Sequence, residues 1–179
     1  YYTGVGYMNQ DGIVKGTNYE RFSFQFKANY KRGIFSAGNN IVMTSSHDAP
    51  HPSESRGGLL GSILQSVPTP ETYDENNLGG YGGSDGDVVN LNHPLGIMDK
   101  KLAERYNESQ KVFINLYLQL EPIEGLKYKL NITPDFQFGR KMEYEGLFDW
   151  GLRTNDITFM TEERKRWSNI LIENLLTFD

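Results

Sequence analysis

The chain contains no cysteine, which removes disulfide frameworks, thiolate zinc sites, iron–sulfur clusters and cysteine nucleophiles, although it assigns no compartment. It also lacks any excess of positive charge: 18 Lys and Arg stand against 23 Asp and Glu, a net charge of -5 without long runs. A protein that tracks nucleic-acid phosphates is therefore disfavoured, and no nucleic-acid partner is expected. No stretch approaches the ~18 consecutive apolar residues of a membrane-spanning helix, and no basic segment leads into an apolar one at the start. A helical membrane protein is excluded. What is present is 37% hydrophobic and 13% aromatic residues in 179, enough to build a core or coat a surface, so disorder is not expected. The chain opens at Tyr1 inside patterned sequence and stops at Asp179 after a strand-like run. A piece of a longer protein is expected.

Alternation is the dominant signal. Phe22, Phe24, Phe26, Ala28 and Tyr30 alternate with Arg21, Ser23, Gln25, Lys27 and Asn29, a period of two that specifies a strand with one apolar and one polar face. Val112, Ile114, Leu116, Leu118 and Leu120 repeat it, as do Leu126, Tyr128, Leu130, Ile132, Pro134, Phe136 and Phe138. Pro134 predicts a bulge or a frayed position there. Six strands are expected, over residues 2–9, 20–31, 35–44, 111–121, 126–139 and 167–178, with Ile170, Ile172, Leu176 and Phe178 on one face of the last and Asn174 interrupting it.

The connections are unequal. Lys31-Arg32-Gly33 and Pro122-Ile123-Glu124-Gly125 read as tight turns, residues 141–166 as a long connection and 46–109 as a longer one. This last segment holds five of the seven prolines and nine of the nineteen glycines, with a short helix expected around 97–106. Loops of that size are uncommon unless functional. Two architectures accommodate such strands: a soluble secreted β-sandwich, here binding carbohydrate through the 46–109 segment, and a transmembrane barrel whose apolar faces meet lipid. Strands of ten to thirteen residues, alternating short turns and long loops, and aromatics toward strand ends (Tyr19, Tyr30, Phe138, Trp150, Trp167) favour the barrel. The expected fold class is all-β, antiparallel strands forming part of a large transmembrane β-barrel.

The run Tyr7-Met8-Asn9-Gln10-Asp11-Gly12-Ile13-Val14-Lys15, followed by Tyr19-Glu20-Arg21-Phe22-Ser23 and an alternating strand, resembles the early barrel strands of SusC/RagA-family TonB-dependent outer-membrane transporters of Bacteroidetes. Pro68-Thr69-Pro70-Glu71-Thr72-Tyr73-Asp74, a Gly-rich stretch and then Asn92-His93-Pro94-Leu95 are similar to that family's proline-rich tyrosine segment followed by Asn-Pro. Pro122-Ile123-Glu124-Gly125-Leu126 resembles its periplasmic turn. The resemblance covers Tyr1 to about Gly139 and fades over 140–166. It implies a 22-stranded barrel in the bacterial outer membrane, energised by TonB and capped by a SusD-like surface lipoprotein that delivers oligosaccharides or peptides. The TonB box and plug lie outside this chain, which would make up about the first third of such a barrel.

The chemistry of individual motifs is weaker. Gly82-Gly83-Ser84-Asp85-Gly86 matches G-x-S-x-G in form, but that motif needs a strand before it, a helix after it and an acid and then a histidine further on. Neither flank fits, so a flexible turn is expected, and no enzyme. Asp85 and Asp87 with Asp74 and Glu75 fail the twelve-residue calcium pattern. His47, Asp48 and His51 lack a fourth ligand for a transition metal. No metal and no cofactor are expected. Glycan or peptide contact has a better physical case, because aromatic platforms and amides suit sugar faces and hydroxyls. Tyr73, Asn76, Tyr81, Asp85, Asn90, Asn92 and Tyr106 are the candidate contacts. Phe22, Phe24, Phe26, Val112, Ile114, Leu116, Leu118, Leu130 and Ile132 are the candidate lipid-facing side chains, with Phe113 and Tyr117 on the opposite, lumenal side.

Overall fold

The computed structural model describes residues 1–50, 58–66, 71–83, 93–151 and 153–178. The period-two segments form β1 (Tyr2–Asp11), β2 (Asn18–Arg32), β3 (Phe35–Ala49), β4 (Ala103–Ile123), β5 (Leu126–Glu145) and β8 (Phe159–Phe178). Two short helices, α1 (Gly58–Gln65) and α2 (Pro94–Met98), and two dipeptide strands, β6 (Phe148–Asp149) and β7 (Thr154–Asn155), lie in the connections. The fold is all-β. The six long strands make one antiparallel sheet in the order β1-β2-β3-β4-β5-β8, and β6 pairs only with β7. Every long strand thus lies beside its neighbour in sequence. The sheet is open, because β1 and β8 are its two edges.

Two-residue turns join β2 to β3 and β4 to β5, where Gly33 (φ 56°) and Gly125 (φ 83°) supply the left-handed backbone such tight hairpins demand. The long connections all leave from the other end. One end of the sheet is therefore short-turned, and the other carries the six-residue connection 12–17 and the two long ones, 50–102 and 146–158.

Cross-strand register sorts the side chains. Phe24 faces Val5 and Met43, Met43 faces Val112, and Val112 faces Phe136, so these residues share one face. The same registers place Phe22, Phe26, Ile114, Leu116, Leu118, Leu130, Ile132, Ile170, Ile172, Leu176 and Phe178 there too. On β2 the apolar run is Phe22 to Tyr30, on β3 Phe35 to Met43 with Asn39 interrupting it, on β4 Val112 to Leu120, on β8 Ile170 to Phe178 with Asn174 interrupting it, where the Tyr128 hydroxyl donates to the Asn174 amide oxygen at 2.6 Å; each spans nine residues. The opposite face carries Gln25, Lys27, Asn40, Lys111, Asn115, Thr133 and Asp135. There Gln25 bonds Asn40 at 3.1 Å and the Asn115 amide donates to Thr133 at 2.7 Å.

Strand lengths correct the reading from alternation: β4 has 21 residues and β5 and β8 have 20 each, so 46–109 and 141–166 are not wholly loop. Of the added segments, 45–49 and 103–110 are almost wholly polar on both faces, 140–145 keeps only Met142 and Tyr144 of the even-face period beyond Arg140, and 159–166 turns polar after Phe159 and Met160, so the hydrophobic period marks them poorly. Backbone ladders and cross-strand pairs such as Arg105 Nε–Glu143 Oε1 at 3.5 Å hold them instead. The helix expected over 97–106 is likewise corrected: α2 ends at Met98, and Ala103 to Tyr106 begin β4. Pro134 causes no register shift. Its pairing toward β4 lapses between Phe113–Asp135 and Leu116–Ile132, as a missing N–H requires, while Pro134 stays opposite Ile170.

The buried hydrophobic cluster is not on the sheet. Leu59, Ile97, Leu102, Phe148 and Trp150 form it, with Val14, Tyr81 and Met98 packed against it, so all three connections opposite the tight turns contribute.

Candidate functional site

The loop end of the sheet assembles a cap from residues far apart in sequence. Tyr73 and Tyr81 form an isolated antiparallel bridge whose turn is closed by Asn77 N–H to Asp74 O (3.2 Å) and Gly80 N–H to Asn77 O (2.9 Å). Gly79 (φ 94°) and Gly80 (φ 75°) make that turn in a conformation side chains rarely adopt. Asn76 is consumed locally, its backbone N–H and its amide both donating to Asp74 Oδ1 at 2.9 and 3.1 Å. The Asp149 N–H donates to Leu78 O at 2.8 Å, tying this turn to β6.

An aromatic series runs inward from there. The ring centroids of Tyr73 and Tyr81 are 5.6 Å apart, Tyr81 and His93 5.0 Å, His93 and Trp150 6.2 Å, and Trp150 stacks on Phe148 at 3.8 Å. Exposure falls along it: Tyr73 is 64% exposed, Trp150 1%. Tyr81 donates its hydroxyl to Asp99 Oδ2 at 3.0 Å. Burial, then that hydrogen bond and the Asp99 charge, push the Tyr81 phenol up to about 12, so it stays a donor at any physiological pH. His93 caps α2, its Nδ1 accepting from the Gly96 N–H at 3.2 Å with Pro94 opening the helix. Burial lowers its pKa, and a backbone bond to Thr72 opposes that less strongly. Gly96 is required where it stands, because a Cβ there would run into the Trp150 indole.

Tyr106 belongs elsewhere. It lies in β4 and not in the loop, its ring tilted against that of His47 at 5.6 Å and under the Arg140 guanidinium at 5.3 Å. It shares the apolar band's face, beyond its loop-side edge, in a hollow of ≈ 390 Å3 also lined by Asn18, Met98, Lys100 and Glu108. Of the candidate contacts the structure thus joins Tyr73, Asn76 and Tyr81 in the cap and separates Tyr106. Asp85, Asn90 and Asn92 lie outside the described residues, as do Ser84, Asp87 and His51. Tyr81 ends a single bridge instead of a strand, so the flank a nucleophile elbow needs is missing. His47 and Asp48 are adjacent on β3 and point to opposite faces, His47 toward Glu108 and Asp48 to the Asn107 amide at 2.8 Å. Among the described residues no three metal-ligating side chains converge.

The lipid-facing candidates all fall on one face, and Phe113 and Tyr117 on the other. Of the five aromatics expected toward strand ends, three do not edge the band: Tyr19, near the start of β2, and Trp167 are on the polar face, and Trp150 is buried in the cap. Sequence reasoning missed His93, Asp99, Phe148 and Trp150 as cap residues. Only His93-Pro94 left a local signal, a cap followed by proline at a helix start. No family model matches the chain, and no curated protein matches it.

Proposed function

We propose that this chain is a section of the β-barrel of an outer-membrane importer, similar to the SusC/RagA family, that passes nutrient oligomers. It anchors in lipid through the even-residue face of β2, β4, β5 and β8, and the three loops serve cargo or a surface lid. It performs no chemistry of its own. In this reading TonB acts through parts outside the chain, a SusD-like lipoprotein covers the loop end, and cargo is glycan or peptide.

The observation that carries the reading is the apolar band. Nine residues at ~3.3 Å rise and ~40° tilt reach about 23 Å, close to the ~25 Å apolar belt of such barrels. Aromatics edge it: Tyr30, Phe35, Tyr128 and Phe178 toward the short turns, Tyr7, Phe22 and Phe138 toward the loops. The band also slants. Its upper limit passes from Phe22 to Met43, Val112, Phe136 and Ile170, slipping four residues of register over four strand steps, with Phe138 standing just above it. One residue per strand is the stagger that tilts barrel strands by ~36°. A band drawn level with a membrane needs that slant.

A soluble sandwich shares the one-sided alternation, and the readings part over what covers the band. Among the described residues nothing does: Leu116 and Leu118 are each 43% exposed and Ile172 59%, while the buried cluster lies in the loops. At the loop end Ile13, Leu64, Leu147 and Ile157 are also exposed, which suits a covering partner.

The test is a denaturing gel of the native polypeptide from its source membranes, with and without boiling. A heat-shifting band well above 20.4 kDa in the outer-membrane fraction is expected. A soluble 20.4 kDa species with no heat shift abandons the barrel and promotes the carbohydrate-binding sandwich.

A further inference from the structure

The charge on the even-residue face changes character just beyond the band, and only on one side of the sheet. Above Val112, Phe136 and Ile170 come Gln110 and Glu108 on β4, Phe138 and Arg140 on β5, and Ser168, Arg166 and Arg164 on β8. These upper residues, Ser168 aside, line a groove of ≈ 490 Å3. Arg140 is held from above by both Glu162 oxygens at 3.2 and 3.3 Å and from the side by Glu108 at 3.4 Å. Arg164 also bonds Glu162. Arg166 differs. Among the described residues no carboxylate reaches it, and its guanidinium rests on the Phe138 ring at 5.6 Å. The two carboxylates offset two of the three guanidinium charges, and the excess cation is the one of the three nearest the apolar band.

We propose that Arg140, Arg164 and Arg166 seat the phosphate of a membrane lipid headgroup whose acyl chains lie along Phe136, Phe138 and Ile170. The inference rests on the barrel reading and extends it to a specific lipid contact. Guanidinium forks match phosphate oxygens, and Arg140 is already oriented by Glu162, so little side-chain freedom is lost on binding. The position argues for lipid over a dissolved anion: the unpaired charge sits beside Phe138 at the edge of the acyl-contact surface, two same-face steps above Ile170, and not out among the loops. Cations at that level gain from an anionic membrane surface.

The test uses the full-length protein in detergent micelles, with native mass spectrometry counting retained lipid. The probes are dimyristoyl phosphatidic acid, dimyristoyl phosphatidylcholine and inorganic phosphate. Phosphatidic acid is expected to be retained preferentially, and its affinity to fall about fivefold for each arginine removed in Arg166→Gln and in Arg164→Gln with Arg166→Gln. Arg32→Gln, on the same face at the short-turn end, is expected to change nothing, and Arg166→Lys to keep most of the preference. Both removed side chains are exposed, so the heat shift should survive; if the double variant loses it, Arg166→Gln alone is read. Equal retention of both lipids, or of phosphatidic acid by wild type and variants, overturns the proposal. Inorganic phosphate displacing phosphatidic acid at low millimolar concentration overturns the lipid source. A protein that shows the heat shift but no lipid preference sinks this inference alone; one that shows neither sinks the barrel reading with it.

Discussion

The sheet and the cap use the same kinds of side chain in opposite solvents. On the sheet, Leu116, Leu118, Ile170 and Ile172 stand open on a face nothing described covers; in the cap, Ile97, Leu102, Phe148 and Trp150 are closed off from water. A water-soluble domain concentrates its burial on the sheet, where the largest continuous apolar area lies. Here the loops condense on themselves, and among the described residues nothing covers the sheet's apolar face. The difference teaches that the described residues bury their apolar groups in the loop cluster and not on the sheet, a distribution for which the proposed barrel gives a reason.

The largest expected effect breaks the cap alone. Trp150→Ala removes a fully buried indole stacked on Phe148 and should destabilise the cap by about 3–5 kcal/mol. Limited proteolysis should then cut within 71–102 and 146–158 while the sheet keeps its heat-shifted mobility; loss of both together would mean that the two regions fold as one unit. Leu116→Arg breaks the other side. A charge at mid-band costs ~2–4 kcal/mol in lipid and blocks outer-membrane assembly, whereas Asn115→Arg, one residue away on the polar face, should be tolerated. Equal tolerance of both removes the lipid assignment. Gly96→Ala sharpens the cap's tight packing: the new methyl meets the Trp150 ring and should cost about 1–3 kcal/mol, read as faster amide exchange around α2. Tyr81→Phe removes the bond to Asp99 for about 0.5–1.5 kcal/mol on the same readout.

Acidification gives the gentlest separation of the two regions. His93 has a folded pKa below its unfolded value of about 6.5, so the unfolded cap binds the proton more readily. Its contribution is fully present above pH 6.5 and declines as pH falls from there to the folded value. Trp150 fluorescence should shift toward a water-exposed spectrum over that window, with the heat shift unaffected. His93→Asn keeps a capping acceptor and should flatten the response; an unchanged pH profile in that variant would reassign the transition to another group.

The band was legible because apolar and polar residues alternate, and alternation survives in a linear string: Phe22, Phe24 and Phe26 against Ser23, Gln25 and Lys27 suffice. Strand ends were not, since Ser45 to Ala49 and Ala103 to Gln110 carry polar side chains on both faces and differ from loop only by having a paired neighbour. The candidate site was half legible. Tyr73 and Tyr81 belong together through a local turn marked by glycines, but Tyr106 looked like a loop tyrosine only because the strand holding it lacks an apolar period.

By itself the sequence determined which faces the strands have, where the tight turns fall, and that no stretch is long and apolar enough for a membrane-spanning helix, for these follow from side-chain period and local backbone preference. Only the tertiary structure decided the register that levels six separate runs into one slanted band, the meeting of Val14, Leu59, Ile97 and Trp150 from three loops, and the gathering of Arg140, Arg164 and Arg166 beside it. Those are contacts between residues distant in sequence, set by backbone pairing and packing, and no local pattern encodes them.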